Sequence, residues 1–370
     1  MSHSKTKRLV LAALAVVVVG GLTGGYLTGR PIQLEQDTSL LFDLPAEVRA
    51  SLYYASLAPN SHNTQAWRVQ ADSERLLLDL DPDRRLAVAD PAGREAIISL
   101  GAFTENLVRA LEAHGYQVTV ELDQDVLPVT VRYSGTPHDA DAATNAWFTR
   151  RHTEKRPMDG PPLTAADQAD LTAGLSGAVE SVWLPAGGAG FRYATEGAKR
   201  AFRAQADDPA GRAEFADWLR LSNAETRQRR DGLPAEQLGI TGLTKVMYYL
   251  TTSRASATGD SFADQSISQA EAQADGCGAW VLLAAPATPS GLIETGRALE
   301  SLWLAATAAE IAVHPMSALI ELEPNETAQA LGLDQAAGQP QMLLCLGRID
   351  GDYGQNAMIR RDIADFVSAG

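Results

Sequence analysis

The chain has 370 residues, 45% of them hydrophobic, which is enough for one large domain or two of ordinary size. It carries 31 Lys and Arg against 46 Asp and Glu, a formal net charge of -15. Nucleic acids and anionic membranes bind basic protein surfaces, so this balance argues against either as a general partner and predicts no nucleic-acid binding. Against such an acidic background, a local basic cluster points to a specific anionic partner.

The amino terminus predicts a membrane anchor or an export signal over residues 1–30. Lys5, Lys7 and Arg8 precede the run 9–29, which contains no charged residue. As a helix that rises about 1.5 Å per residue, this run is just long enough to cross a bilayer. The basic residues before it favour a cytoplasmic start and an extracytoplasmic body.

A signal peptide that is cleaved, so that the body is exported, is the alternative for this segment. The stretch 24–30 is a poor cleavage site, because it lacks the small residues at the spacing that cleavage requires. We therefore expect an uncleaved anchor, followed by a linker over residues 31–44.

Hydrophobic periodicity predicts alternating helices and strands beyond the linker. In residues 45–140 we expect a helix at 46–58, strands at 67–70 and 76–80, a long helix after 90–93 that ends at His114, and strands at 116–122 and 128–133. In residues 141–370 we expect strands at 179–184, 279–285 and 342–346 and helices at 194–222 and 290–312. Residues 223–276 are less regular and predict an insertion or a lid. The chain is thus an α+β protein made of two successive halves, 45–140 and 141–370.

The cysteines and histidines do not predict a metal site. Cys277 and Cys345 match no common zinc or iron–sulfur spacing, and the six histidines show no ligand pattern such as HExxH. We expect two structural thiols, with a single disulfide as the alternative.

A polar, turn-prone segment, APNSHNTQAW at residues 58–67, follows the first helix. Ser61, Asn63 and Gln65 could hydrogen-bond a cofactor ring or cap the structure that follows. By residue type alone, capping is the better interpretation.

A second polar segment, RRHTEKRP at residues 150–157, concentrates positive charge near a predicted helix end. The guanidinium of Arg151, the hydroxyl of Thr153 and the ammonium of Lys155 could together neutralise and orient a phosphate. By residue type alone, a solvated basic helix end is the better interpretation.

Two later segments could complete such a site. In AVHPMS, residues 312–317, Pro315 is predicted to break the long helix, and its exposed backbone could approach a cofactor ring. An ordinary turn is the alternative. Arg360 and Arg361 could reach a phosphate but are by themselves only a charge pair. We find no GxSxG, Walker or GxGxxG motif, and no catalytic side chain is predicted.

Together the two polar segments resemble the nitroreductase family of FMN oxidoreductases, and in particular its fused, Acg-like branch. The family's Arg-His-Ser/Thr-x-Lys segment, which binds the flavin phosphate and ring, is matched by residues 151–155. Its Pro-x-Ser-x-Asn-x-Gln-Pro-Trp segment is matched by residues 59–67, with Ala66 in place of the second proline. The resemblance implies a nitroreductase-like α+β fold and one cofactor, FMN, on which the redox chemistry takes place.

The resemblance also implies the residues that contact FMN. They are Ser61, Asn63, Gln65, Arg151, His152, Thr153, Lys155, Pro315, Met316, Arg360 and Arg361. The Glu-Gly that family members usually carry at the proline-containing turn is absent here.

The order of the two segments is reversed relative to typical family members. There, both occur in one short chain and a dimer brings them to one flavin. Here each occurs once, so the halves 45–140 and 141–370 imitate the two subunits. The resemblance therefore predicts one FMN per chain and a monomer.

Two functions follow from the resemblance. The first is an oxidoreductase in which hydride passes from a small-molecule donor through flavin N5 to a nitro, quinone or similar acceptor. The alternative is a non-catalytic protein that binds or sequesters flavin, with residues 223–276 as a lid over the cofactor. An extracytoplasmic body would lack ordinary NAD(P)H, which favours another donor or the sequestering role.

Overall fold

The computed structural model describes residues 28–140, 142–333 and 338–370. Within these ranges no helix is both long enough and apolar enough to cross a bilayer. The predicted anchor at residues 9–29 lies outside the described residues except for Thr28 and Gly29. It therefore stays a prediction.

The first half contains two helices and four strands where the sequence predicted them. They are α1 (Ala46–Ser56), β1 (Trp67–Ala71), β2 (Arg75–Leu80), α2 (Arg94–Ala113), β3 (Gln117–Leu122) and β4 (Val129–Ser134). Side chains of β1 alternate between buried and exposed, as expected for a strand with one face on the core. The predicted α+β class is confirmed by these elements and by those of the second half.

The second half is richer in helix. Its elements are α3 (Ala142–Arg150), α4 (Ala165–Thr172), β5 (Glu180–Pro185), α5 (Ala189–Asp207), α6 (Pro209–Trp218), α7 (Asn223–Arg229), α8 (Gly242–Thr251), α9 (Arg254–Ala257), α10 (Asp260–Asp275), β6 (Ala279–Ala285), α11 (Pro289–Ala308), β7 (Ala312–Pro315), α12 (Ala318–Leu322), α13 (Pro324–Leu331), β8 (Gln339–Gly347) and β9 (Val367–Ala369).

Two regions differ from the sequence prediction. Residues 223–276, expected to be irregular, are mostly helical, because small polar residues such as Ser222 and Ser253 cap helices there rather than forming loops. The prediction that Pro315 breaks a long helix is wrong. Helix α11 ends at Ala308, the chain turns at Glu310 with a positive φ of 53°, and Pro315 is the last residue of β7.

The strands form two sheets. The order is β3-β4-β2-β1-β9 in the first sheet and β5-β6-β8-β7 in the second. Strand β9 pairs in parallel with β1, with Val367 opposite Val69, whereas the strands of the second sheet are antiparallel. The last strand of the second half thus completes the sheet of the first half.

Helices α2 and α11 cross at very close range and join the two halves. A Cβ added to Gly101 would lie 2.2 Å from the carbonyl oxygen of Ile293, and one added to Gly296 would lie 1.9 Å from that of Ile98. Only glycine permits such an approach of two backbones. Phe103 of α2 lies in the core around the first sheet, and Trp303 of α11 lies in the core around the second.

Cys277 and Cys345 form a disulfide, with Cα atoms 5.5 Å apart. The expectation of two thiols was therefore wrong and the alternative holds. Cys277 precedes β6 and Cys345 lies in β8, and these two strands are neighbours in the second sheet. The sequence alone did not show that the two strands pair.

Gly296→Ala should lower the free energy of unfolding by about 1–3 kcal/mol, the usual cost of inserting a methyl group into a packed contact. The added Cβ would overlap the carbonyl oxygen of Ile98, so α2 and α11 would have to move apart. Urea unfolding followed by circular dichroism measures the change. Gly177→Ala is the control, since a Cβ there meets no atom within 4 Å. Equal stability of the two variants would contradict the close contact.

Candidate functional site

The two polar segments meet where the two halves join. Nη2 of Arg151, just after α3, donates to the carbonyl oxygen of Leu57, just after α1, over 2.7 Å. The same oxygen accepts a 3.1 Å bond from Nη2 of Arg360. Asn356 donates over 2.8 Å to the carbonyl oxygen of Arg151. Buried hydrogen bonds to the backbone therefore hold together segments that are far apart in the sequence.

Arg151 is buried and has partners within the protein. Its Nε lies 3.3 Å from Oε1 of Glu300, and its guanidinium carbon lies 4.6 Å from the centre of the Trp303 ring, a cation–π distance. Burial lowers the pKa of Arg151, and the charge of Glu300 opposes this effect. A phosphate at this arginine would have to share or displace Leu57 and Glu300.

Glu300, on α11, supplies the negative charge that pairs with Arg151. It is fully buried. Burial raises the pKa of Glu300 to about 7, and the positive charge of Arg151 opposes the rise. The protonation state of a carboxyl group with a pKa near neutral pH is sensitive to small changes in its surroundings.

Glu300→Gln should flatten the dependence of the unfolding free energy on pH between about 4.5 and 7. The folded-state pKa of Glu300 lies above its ordinary value of about 4.3, so in this window the folded protein binds more protons than the unfolded chain. The contribution of Glu300 to stability is therefore present below this window and is lost as pH rises through it, with a slope of at most about 1.4 kcal/mol per pH unit.

Urea unfolding at several pH values within the window tests this prediction. Glutamine stays uncharged at every pH, so the slope rather than the absolute stability is compared. Glu326→Gln, on exposed α13, should keep the wild-type slope. Equal slopes for Glu300→Gln and the wild type would contradict the raised pKa.

Asn63, predicted to contact the flavin, is bonded on all sides within the protein. Its Nδ2 donates to the carbonyl oxygens of Gly232, over 3.1 Å, and Ile359, over 3.2 Å. Its Oδ1 accepts from Nη1 of Arg360 over 3.0 Å. Asn63 also has a positive φ of 51°, which asparagine tolerates better than most residues. The side chain of Asn63 therefore holds the backbone at Gly232 and Ile359 in place.

Gln65 has the same role. Its Nε2 donates to the carbonyl oxygen of Arg230 over 2.9 Å, and its Oε1 accepts from the backbone nitrogen of Arg361 over 2.8 Å. Gln65 is fully buried. The amide therefore links the first polar segment both to residues after α7 and to the C-terminal segment.

The two C-terminal arginines also bond to the backbone around the first polar segment. Nη2 of Arg361 donates to the carbonyl oxygens of Gln65 and Trp67, over 2.7 and 3.2 Å. The nitrogens of Arg360 donate to the carbonyl oxygens of Ser56, Leu57 and Ala58. Burial lowers the pKa of Arg360 to about 9 and that of Arg361 to about 10.

Lys155 differs from Arg151, Arg360 and Arg361, because among the described residues its Nζ has neither a carboxylate within ion-pair distance nor a backbone carbonyl oxygen as hydrogen-bond partner. Its Nζ lies 3.2 Å from Nε2 of His314, on β7. Burial lowers the pKa of Lys155 to about 8, and the charge of Glu154 opposes the shift. Burial, and then the charge of Lys155, lower the pKa of His314. Lys155 can therefore receive an anion without losing a salt bridge.

Thr153 and His152 precede this lysine. Thr153 is half-buried, and within the described ranges its hydroxyl has no hydrogen-bond partner. The ring of His152 packs edge-on against Tyr353, with ring centres 4.9 Å apart. Its Nδ1 lies 2.9 Å from the carbonyl oxygen of Arg150. Thr153 thus has a hydroxyl to offer to a ligand near Lys155, whereas His152 is engaged in packing.

Ser61 and His62 bring the first polar segment into the same region. The hydroxyl of Ser61 donates to the carboxylate of Glu95, in the first turn of α2. The ring of His62 packs edge-on against Phe215 of α6, with ring centres 5.5 Å apart. Burial lowers the pKa of His62, Glu95 opposes this, and Lys155 adds to it. His62 therefore lies within electrostatic reach of both halves.

Glu95 also forms a hydrogen-bonded carboxyl pair with Glu321. Arg94 lies 3.3 Å from Glu95 and 3.5 Å from Glu321, and Gln205 donates to Glu321 over 2.6 Å. Burial and the charge of Glu95 raise the pKa of Glu321 well above its ordinary value. The pair therefore keeps a shared proton to a higher pH than an isolated carboxyl group would.

Pro315 and Met316 lie at the end of β7 and continue the second sheet. The backbone nitrogen of Met316 donates to the carbonyl oxygen of Leu343 over 2.9 Å. Two residues before them contact the second polar segment: the carbonyl oxygen of Val313 accepts from the backbone nitrogen of Glu154 over 3.1 Å, and His314 contacts Lys155. Pro315 and Met316 lie one and two residues beyond these contacts.

Residues 209–239 cover both polar segments. Phe215 contacts His62, and the carbonyl oxygens of Arg230 and Gly232 accept from Gln65 and Asn63. A Cβ added to Gly239 would lie 3.0 Å from Cβ of Lys155. The cover therefore begins before the predicted lid at 223–276, with α6, and it contacts the predicted cofactor residues directly.

Sequence reasoning missed three acidic residues of this region. Glu300 was visible only as a charge within the apolar face of a long helix, and Glu321 gave no signal. Glu95 follows the predicted helix start at 90–93, but its bond to Ser61 depends on folding. No spacing rule links these carboxylates, because they come from three separate helices.

Two surface cavities lie away from these residues. One, of about 500 Å³, is lined in part by Arg109, Trp147 and Ser301, and one of about 510 Å³ lies beside α13. Neither is lined by a residue predicted to bind FMN. In residues 28–140, 142–333 and 338–370, no group of three or more His, Cys, Asp and Glu is placed to hold a metal ion.

Comparison with known proteins gives partial sequence matches. No protein-family model matches the chain. The Mycobacterium tuberculosis H37Rv protein named "Putative NAD(P)H nitroreductase Rv3131" is 35% identical over 131 residues, which are 34% of this chain and 38% of that protein. "Putative NAD(P)H nitroreductase acg" of the same strain is 35% identical over 85 residues, 23% of this chain and 25% of that protein.

Each match thus spans well under half of the relative's own length. A solved structure, that of the FMN-dependent nitroreductase NfnB from Mycobacterium smegmatis in complex with NADPH, covers 55% of this chain and 83% of its own, with 15% identity and a TM-score of 0.33. That structural similarity is too low to support an argument. The sequence matches support the resemblance predicted from the two polar segments.

Proposed function

We propose that this chain binds FMN and is a flavin oxidoreductase of the nitroreductase type; its partial sequence matches to proteins named NAD(P)H nitroreductase and its two polar segments support the proposal. The observation that carries the proposal is Lys155 of the second family segment, a half-buried cation without a carboxylate partner among the described residues, which lies within electrostatic reach of His62 of the first segment. One FMN per chain, in a monomer whose halves imitate two subunits, is part of the proposal.

The side chains around Lys155 fit an anionic, hydrogen-bonding cofactor. Lys155 can pair with a phosphate, and Thr153 has a hydroxyl to donate. Arg151, which stays beside Glu300, would add to the positive potential at the phosphate. Asn63 and Gln65 hold the first polar segment in register with the second half. A bound flavin would supply hydride transfer through N5.

The carboxyl pair of Glu95 and Glu321 would serve the reduction of an acceptor by holding a proton. Reduction of a nitro or quinone group consumes protons as well as hydride. The raised pKa of Glu321 lets the pair keep a proton to a higher pH than an isolated carboxyl group, and Ser61 connects the pair to the first polar segment. His62, kept neutral by burial, could pass a proton between this pair and the site.

The cover over both segments favours the second candidate function, a flavin-binding protein without turnover. Residues 209–239 contact His62, Asn63, Gln65 and Lys155. If this cover stays closed over a bound flavin, donors and acceptors cannot reach the ring. The catalytic proposal requires the cover to open.

Reconstitution of the full chain with FMN, followed by reduction assays, separates the two functions. Oxidation of NAD(P)H with a nitro or quinone acceptor supports the oxidoreductase. A flavin that binds one per chain but resists both NADPH and dithionite supports the sequestering protein. A chain that takes up no FMN, or two FMN per chain, contradicts the proposal.

Lys155→Met should weaken FMN binding by about 1.5–3 kcal/mol, the usual contribution of a charge-assisted hydrogen bond. This equals roughly a tenfold to hundredfold increase in Kd. Quenching of flavin fluorescence measures the Kd. Riboflavin, which lacks the phosphate, is the matched control, and its Kd should change little. An equal loss for both ligands would place Lys155 away from the phosphate.

FMN affinity should fall as pH rises above about 8. Lys155 has a pKa lowered to about 8, so above this pH the free protein must protonate it before it pairs with a phosphate. The loss approaches tenfold per pH unit until the pKa of Lys155 in the complex is reached. Lys155→Arg stays charged and should bind FMN with a flat profile. A pH-independent Kd for the wild type would contradict the assignment.

Localisation stays part of the proposal. We propose that residues 9–29 anchor the chain in a membrane with the body on the extracytoplasmic side, because basic residues precede this uncharged run. Export with cleavage is the alternative. In the first arrangement the electron donor would have to be a reductant other than cytoplasmic NAD(P)H.

A further inference from the structure

Helix α8 exposes an apolar face. Leu243 is 78% exposed, Met247 is 51% exposed and Leu250 is 76% exposed. At about 3.6 residues per turn these positions lie within roughly 60° of one another on the helix surface. A contiguous exposed apolar stripe of this kind marks an interaction surface.

The exposed side of α8 carries no charge. Its other exposed residues are Gly242, Thr244 and Thr251. The charged residue of this helix, Lys245, is turned inward, where it is fully buried and paired with Glu236. Polar residues on the flanks and apolar residues in the centre are typical of a helix that lies at a lipid surface.

The described chain begins beside this helix. Lys245 Nζ donates to the carbonyl oxygen of Arg30 over 3.0 Å, and Glu236 accepts from the backbone nitrogen of Ile32 over 2.9 Å. A Cβ added to Gly29 would lie 2.8 Å from the carbonyl oxygen of Gly242. The uncharged run 9–29 therefore joins the body next to the N-terminus of α8.

Positive charge lies next to the same point. Asn223, the first residue of α7, donates to the carbonyl oxygen of Thr28 over 3.2 Å. Arg227 and Arg229 of α7 are exposed, and within the described part of the chain neither forms an ion pair. In a protein of net charge -15, two exposed arginines beside an apolar helix match an anionic lipid surface.

We infer that α8 docks on the surface of an anionic lipid bilayer, with Leu243, Met247 and Leu250 in the headgroup region and Arg227 and Arg229 on lipid phosphates. The contact adjoins the point where the predicted anchor enters the membrane. It orients the body and places residues 209–239, the cover of the candidate site, close to the bilayer. A second copy of the chain is the competing occupant, and the quenching experiment below separates it from lipid.

A fluorophore at position 247 tests the docking in the full-length chain. Met247→Cys is labelled with NBD without reductant, since Cys277 and Cys345 form a disulfide. The protein is reconstituted in vesicles of phosphatidylcholine and phosphatidylglycerol. Leu322→Cys, on α12, is the matched control because Leu322 is 50% exposed.

We expect the label at position 247 to shift its emission to the blue, to be quenched by nitroxide headgroup lipids and to lose quenching by aqueous iodide. The label at position 322 should show none of these changes. Arg227→Gln with Arg229→Gln should reduce the lipid quenching at position 247 in these vesicles but not in pure phosphatidylcholine.

Equal iodide quenching at positions 247 and 322 would overturn the inference. Protection from iodide at position 247 without quenching by nitroxide lipids would also overturn it, because protein rather than lipid would then cover α8. Lipid quenching that is unchanged in the double arginine variant would refute the role of the two arginines.

Discussion

The close crossing of α2 and α11 is the contact on which the arrangement of the molecule depends. At Gly101 and Gly296 the two backbones approach so closely that no side chain fits between them. Phe103 of α2 lies in the core of the first half and Trp303 of α11 in that of the second, while Ile98 and Ile293 each reach the core of the other half. The crossing therefore sets the position of one half relative to the other, as the interface of a dimer would. The C-terminal strand β9 is a second link between the halves, because it belongs to the second half and pairs with β1 of the first.

The candidate site is a consequence of this joint, because its residues come from both halves. Most of its charges are buried, and each buried charge needs a partner to offset the loss of hydration. Arg151, Arg360 and Arg361 find theirs in backbone carbonyl oxygens and in Glu300. Lys155 has only a neutral histidine among the described residues, and burial lowers its pKa. Lys155 is therefore available to an anionic ligand, whereas the arginines hold the structure together.

Whether residues 209–239, the cover over the site, can open decides between the two proposed functions. Asn63 and Gln65 hold residues 230–232 by hydrogen bonds to the backbone, which do not depend on the identity of the covering side chains. Asp231, in the middle of this stretch, is paired with Arg84 and Arg220. Opening the cover would break several buried bonds at once. Access to the site is therefore governed by the same amides that the family resemblance places at the flavin.

The sequence by itself determined the α+β class, most helices and strands, and the two polar segments, because periodicity, caps and motif spacing are local properties. Tertiary structure decided the rest. Pro315 lies in a strand because β8 provides a partner, Cys277 and Cys345 bond because β6 and β8 pair, and Arg151 meets Glu300 because α3 packs on α11. A local pattern specifies what a residue can do. Which atoms it meets depends on distances between segments far apart in the chain, and only the packed fold sets those distances.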